Sequence, residues 1–372
     1  MRVSPEIESL IPYKPGKPIE ETKRELGLTE VIKLASNENP LGPSPKAIAA
    51  IKGSLENLSR YPDPSAYDLR MKLSQSWKVR AEDIVIGNGS NELIDLLVRV
   101  FCEPGDRIVM PDKSFIAYAV VSQAARVGKR EIPVDKNFHW DVDKFVEDFK
   151  ENHNSREKIL FLANPNNPTG TYVTKPEMDH LLEGLGGRSD LLIVIDEAYN
   201  DFVRANDFSS SIDYMKDYNN VLSIRTFSKA YGLAGLRVGA LIGNTEITQW
   251  VNRVRNPFNV NSLAQAAAMA ALDDSSYIKE SRELVWRGLD SFYEFFKEMK
   301  LPYWESQTNF VLFDSLRDGE HLFNCLMRKG LLVRPMKAYK MPRHIRLSIG
   351  TDQENKRAME ILKETLLEVP EL

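Results

Sequence analysis

Between residues 43 and 262 the chain repeats one rhythm: a short apolar or β-branched run, a turn, then a longer amphipathic run. The short runs predict strands at 84–86, 107–110, 130–134, 159–163, 191–195, 221–225 and 238–242. Helical periodicity lies between several of them, for example at 91–102, 115–126 and 175–184. Strands alternating with helices argue for an α/β fold with a mainly parallel sheet covered on both faces.

The flanks keep a different rhythm. Residues 1–42 are rich in proline and charge, with Pro12, Pro15, Gly16 and Pro18 close together, and read as an extended arm. Beyond residue 262 comes one long predicted helix, 262–300, with an Ala-rich start. Strands at 310–313, 331–333 and 344–348, a helix near 320–329 and a terminal helix from 352 follow. The predicted division is an arm (1–42) packing with the small domain or a partner subunit, a large domain (43–262) and a smaller α+β domain (263–372). A length of 372 residues admits two or three domains.

Composition narrows the function classes. Lys plus Arg number 49 against 53 Asp plus Glu, a net charge of −4, which gives no footprint for nucleic acid. The two cysteines, Cys102 and Cys325, have no CxxC partner, which argues against a disulfide scaffold or a zinc ribbon and fits a reducing, cytoplasmic setting. Residues 1–10 contain no apolar run of the kind a targeting signal needs, and no apolar stretch reaches membrane-span length. The five histidines form no metal-spaced pair, so no metal is expected.

Four segments carry chemistry. Gly87-Asn88-Gly89-Ser90-Asn91 follows a strand and opens a helix, and the unpartnered N–H groups there suit a phosphate. Glu92 stands where a dinucleotide fingerprint needs its third glycine, so the turn nominates Gly89, Ser90 and Asn91 for a phosphate rather than for NAD. Asn164-Pro165-Asn166-Asn167-Pro168-Thr169-Gly170 is a rigid polar turn after a strand. Asp196 ends the 191–195 strand, where open α/β sheets bind ligands, although helix capping explains such a residue equally well. Finally, Thr226-Phe227-Ser228-Lys229 places a lysine after a strand, with Arg237 eight residues on. A lysine buried there is costly unless paired or used covalently, and arginine offers phosphate a planar fork.

Taken together, Asn167, Asp196 with Tyr199, Ser228-Lys229 and Arg237 resemble, in order and spacing, the fold-type I pyridoxal-phosphate aminotransferases of class I/II. The likeness runs over nearly the whole chain. Pro12-Tyr13-Lys14-Pro15-Gly16-Lys17, Leu34-Ala35-Ser36-Asn37-Glu38-Asn39-Pro40-Leu41-Gly42, Arg60-Tyr61-Pro62-Asp63, Leu332-Val333-Arg334-Pro335 and 345–351 are similar to the histidinol-phosphate branch of that family. The resemblance implies a seven-stranded, mainly parallel sheet and pyridoxal 5′-phosphate as cofactor. Lys229 would form the Schiff base and move the substrate proton. Asp196 would pair with the pyridine nitrogen, and Tyr199 and Asn167 with the ring's phenolic oxygen.

Arg237, Ser228, Thr226 and the turn at Gly89, Ser90 and Asn91 would hold the phosphate. Phe115 would stack on the ring where relatives often carry tyrosine. The resemblance further assigns Arg346 to a substrate carboxylate and Arg334, Tyr13 and Asn39 to other parts of the substrate. Tyr61 would reach the cofactor phosphate across a homodimer. The implied partners are a small-molecule amino donor and a 2-oxo acid acceptor, here histidinol phosphate and 2-oxoglutarate. An aromatic aminotransferase or a threonine-phosphate decarboxylase would share most of these motifs.

Overall fold

Among the described residues thirteen strands form, and their chain order is β1 (Ile32–Lys33), β2 (Ile84–Gly87), β3 (Arg107–Pro111), β4 (Gly128–Ile132), β5 (Glu157–Ala163), β6 (Leu192–Asp196), β7 (Val221–Thr226), β8 (Gly239–Ile242), β9 (Tyr303–Trp304), β10 (Phe310–Asp314), β11 (Leu331–Leu332), β12 (Arg334–Pro335) and β13 (His344–Ser348). They are taken from a computed structural model that describes residues 2–12 and 16–372. All seven strands expected between 43 and 262 join one sheet, in the order β2-β8-β7-β6-β5-β3-β4. Only β8 runs against its neighbours, β2 and β7; the other pairs are parallel. The uniformly apolar strands are explained by burial on both faces: Ile193, Val194 and Ile195 of β6 are each no more than 1% exposed. One face packs the helix Ser90–Phe101 through Leu93, Leu97 and Val98, and the other packs Phe145, Phe149 and Leu181.

A second, antiparallel sheet has the order β12-β13-β10-β9. The helices Ser275–Glu298, Gly319–Arg328 and Asp352–Glu368 cover it, joining Phe292, Phe296, Leu322 and Leu362 to Phe310, Phe313 and Leu347 in one core. From the arm, β1 pairs in parallel with β11. Among the described residues no helix is long and apolar enough to cross a membrane.

Two expectations need correction. The predicted helix 262–300 is two helices, Ser262–Leu272 and Ser275–Glu298. Asp274 leaves helical geometry (φ −108°, ψ 59°) and its carboxylate accepts the Ser276 hydroxyl proton. Asp and Ser side chains compete for local polar groups and favour helix ends over interiors, so Asp273-Asp274-Ser275-Ser276 stops one helix and starts the next. The break frees the Ala-rich helix, with Ala264, Ala267, Ala268 and Ala271 buried, to pack on Pro45–Ser54. The run expected at 331–333 forms only β11, which pairs with β1, and a separate strand, β12, follows at once and joins the second sheet.

Candidate active site

The carboxyl ends of β5, β6 and β7 open onto a cavity of roughly 240 Å³. Its wall takes Ser90 and Asn91 from the turn after β2, Phe115 from the segment after β3, and Asn167 from the turn after β5. Asp196 and Tyr199 come from the end of β6, Thr226, Ser228, Lys229 and Arg237 from the β7–β8 connection, and Arg346 from β13. Eleven of the predicted site residues therefore meet in one space.

Asp196 is 4% exposed. Its Oδ2 accepts the Tyr118 hydroxyl proton at 2.9 Å, and its Oδ1 accepts the Ala198 N–H at 3.1 Å. Tyr118 is itself fully buried and stacked on Phe161, with ring centroids 4.7 Å apart. Burial pushes the Asp196 carboxyl up to about 6, against the two hydrogen bonds, which pull it down. A cation placed against this carboxylate would ionise it fully. Burial likewise brings the Lys229 amine down to about 8, helped by the nearby positive charge of Arg346. Its Nζ donates to the Ser36 carbonyl at 3.4 Å and lies 5.7 Å from the centre of the Tyr199 ring.

At the other end the site is cationic. Arg237 donates from Nη1 to the Ala234 carbonyl at 3.0 Å and to the Ser228 hydroxyl at 3.3 Å. The turn before helix Ser90–Phe101 fits closely beneath it. Gly89 has φ +77°, and a Cβ there would collide with the Arg237 guanidinium. A Cβ on Gly239 of β8 would lie 2.9 Å from the Ser90 nitrogen. Glycine at both positions lets backbone N–H groups and the guanidinium approach one point, a geometry that suits a phosphate.

Arg346, 5% exposed, donates to Asn167 Oδ1 at 2.6 Å and to the Ala35 carbonyl at 2.9 Å, and sits over the Phe310 ring. Behind Asp196, the next residue, Glu197, accepts both Nε and Nη2 of Arg225, at 3.1 and 2.8 Å, and the Ser211 N–H at 2.6 Å. This fully buried carboxylate ties the end of β6 to β7.

Four predicted residues are placed elsewhere and a fifth is not described. Gly89 caps the helix behind Ser90 without lining the cavity. Asn39 turns away from it, donating to the Ala230 carbonyl and the Ser281 hydroxyl, both at 2.8 Å. Arg334, on β12, is registered opposite Arg346 and is not among the cavity residues. Tyr61 is 82% exposed and stacked on Phe258. Tyr13 lies outside the described residues. Conversely, Ser36, Asn37 and Glu38 line the cavity, and Tyr118 supports it, without having been singled out as site residues. The first three sit in the Ser36-Asn37-Glu38-Asn39-Pro40 motif, which carried a signal. Tyr118 is one more aromatic in a helical pattern and carried none.

The fold and this site define a class. Residues 29–362 match the model for aminotransferase class I and II, and the chain belongs to that family. It is 50% identical over 372 residues, all of both chains, to the histidinol-phosphate aminotransferase of Bdellovibrio bacteriovorus. It is 43% identical over 360 residues to that of Caldicellulosiruptor saccharolyticus, covering 97% of this chain and 99% of the relative. The structure is similar to the crystal structure of histidinol-phosphate aminotransferase from Sinorhizobium meliloti in complex with pyridoxal-5′-phosphate. That likeness has a TM-score of 0.88 and 27% identity, and covers 99% of this chain and 98% of the other.

Proposed function

We propose that this chain is a histidinol-phosphate aminotransferase, moving an amino group between histidinol phosphate and 2-oxoglutarate with pyridoxal 5′-phosphate, in two half-reactions at one site. The observation that carries the reading is a single cavity that opposes a buried carboxylate, Asp196, to a phosphate-binding corner at Ser90 and Arg237, with Lys229 between the elements that supply them. That donor set matches a cationic ring nitrogen, an aldehyde and a phosphate on one molecule. The full-length relatives named above support the choice of donor.

When bound, the cofactor would supply an aldehyde carbon that takes up the amino group and an electron-withdrawing ring that stabilises negative charge at the substrate Cα. Asp196 holds a proton on the pyridine nitrogen. Its neighbours Tyr118 and Ala198 fix the carboxylate for that contact. Ser90, Asn91, Ser228, Thr226 and Arg237 would hold the phosphate, and Phe115 would stack on the ring. Lys229, with an amine that burial favours in the neutral state, takes and returns the Cα proton. Arg346 binds the carboxylate of glutamate and 2-oxoglutarate, competing with its present contact to Asn167. In our reading residues 1–42 form an arm, 43–262 a cofactor domain and 263–372 a small domain, and two copies associate so that Tyr61 of one reaches the phosphate in the other.

Two measurements test this. Borohydride treatment of the holoenzyme should attach the cofactor to Lys229, and Lys229→Ala should lose turnover; full turnover in that variant removes the mechanism. A donor panel of histidinol phosphate, phenylalanine and phosphothreonine should give conversion with the first. Conversion by phenylalanine alone would leave the class and overturn the substrate.

A further inference from the structure

Asn37 stands in the left-handed region (φ +55°), which asparagine tolerates better than most residues, and it is 1% exposed. Every polar group it carries has a partner, and the partners fix the sense of the bonds. Its backbone N–H donates to Ser348 Oγ at 2.9 Å, and its carbonyl accepts from Asn309 Nδ2 at 3.1 Å. Having accepted that N–H, Ser348 gives its own hydroxyl proton to Asn37 Oδ1 at 2.8 Å. The amide is thereby oriented, with its NH2 end facing Tyr199, and Nδ2 donates to the Tyr199 oxygen at 2.8 Å. A phenol that accepts there must donate its single proton elsewhere. Tyr199 is 4% exposed, packs its ring at right angles to Phe310 with the Lys229 Nζ 5.7 Å from its centre, and lines the cavity.

We infer that Asn37 is a positioning residue that aims the Tyr199 hydroxyl proton into the cavity, where it serves as a fixed donor to an oxyanion of the bound cofactor. The inference rests on the proposed function and deepens it. It joins three distant segments: the arm, the residues after β6, and β13, two residues from Arg346. Asn39, two residues along the same motif, makes only bracing contacts and has no such part.

Asn37→Asp provides a direct test. An aspartate keeps the size and tolerates the same backbone region, but its carboxylate takes the Tyr199 proton instead of offering one. The readout is the pH midpoint of the visible absorbance of the holoenzyme, which measures how well the protein holds negative charge on the cofactor oxygen. Removing one donor should raise that midpoint by about half to one pH unit. Tyr199→Phe should shift it in the same direction, and Asn37→Asp should add nothing in that background. An unshifted midpoint in Asn37→Asp, or an equal shift with and without the Tyr199 hydroxyl, overturns the inference. Should Asn37→Asp fail to fold, Ser348→Ala, which removes the group that orients the amide, must raise the midpoint in the wild-type background and not in Tyr199→Phe. A wild-type protein with no pH-dependent cofactor band would instead defeat the proposed function.

Discussion

Asp196 and Lys229 both resist charge, and the consequences for stability have opposite signs. Asp196 rises from 3.8 to about 6, so the folded chain holds its proton more tightly than the unfolded one. Its contribution is complete at acid pH and is lost as pH climbs through that window, at about 1.4 kcal/mol per unit. Lys229, brought down to about 8 from 10.5, does the reverse, and stability recovers as pH rises through that range. In the cofactor-free chain, Asp196→Asn should therefore raise Tm at pH 7 and change it little at pH 4; equal gains at both would assign the effect to packing. Tyr118→Phe should lower kcat by up to about tenfold with KM unchanged, since one hydrogen bond to a charged group is lost. Steady-state kinetics at saturating cofactor would show it, and a change confined to KM would argue against this role. Lys229 was legible because a lysine is costly near a sheet end without a use, whereas Asp196 and Arg237 stood out only in combination with it. Tyr118 and Asn37 were not legible, since their parts depend on which way a hydroxyl or an amide points.

At the scale of elements, Glu197 and Arg225 hold the ends of β6 and β7 together beneath the site. Removing one partner leaves a buried charge, so Glu197→Ala should destabilise the chain by about 3–5 kcal/mol, measured by urea denaturation. Glu197→Ala with Arg225→Ala should be less harmful than the single change; a strictly additive result would mean that the pair is not coupled. The strands were readable because a doubly covered sheet demands apolar residues along both faces, as at 192–195 of β6. The helix break at Asp274 was hidden because apolar periodicity continues on both sides of it, and only the competition of Asp and Ser for backbone groups decides it. The pairing of β1 with β11 lay beyond sequence reading, since two-residue strands have no period.

For the whole molecule, four of the exposed apolar side chains fall close together in the chain. Leu55, Leu58, Tyr61 and Tyr67 lie between 50% and 82% exposed within thirteen positions, with Tyr61 stacked on Phe258. On the proposed reading this run faces the second copy. Light scattering should give the mass of two chains, and Leu58→Glu should shift the mass toward one chain and weaken cofactor binding. A wild-type mass of one chain would remove Tyr61 from the site.

Arg346 joins Asn167 to the carbonyl of Ala35, 311 positions away in the chain. A ribosome must therefore deliver every residue through Arg346 before this clasp can close, and no shorter nascent product owns the complete pocket. Vitamin-derived cofactor supplied to the cell would then select finished molecules, stabilising them by mass action while truncated ones gain nothing. Expression under cofactor starvation should accordingly yield less enzyme, through loss of protein that is whole but unprotected.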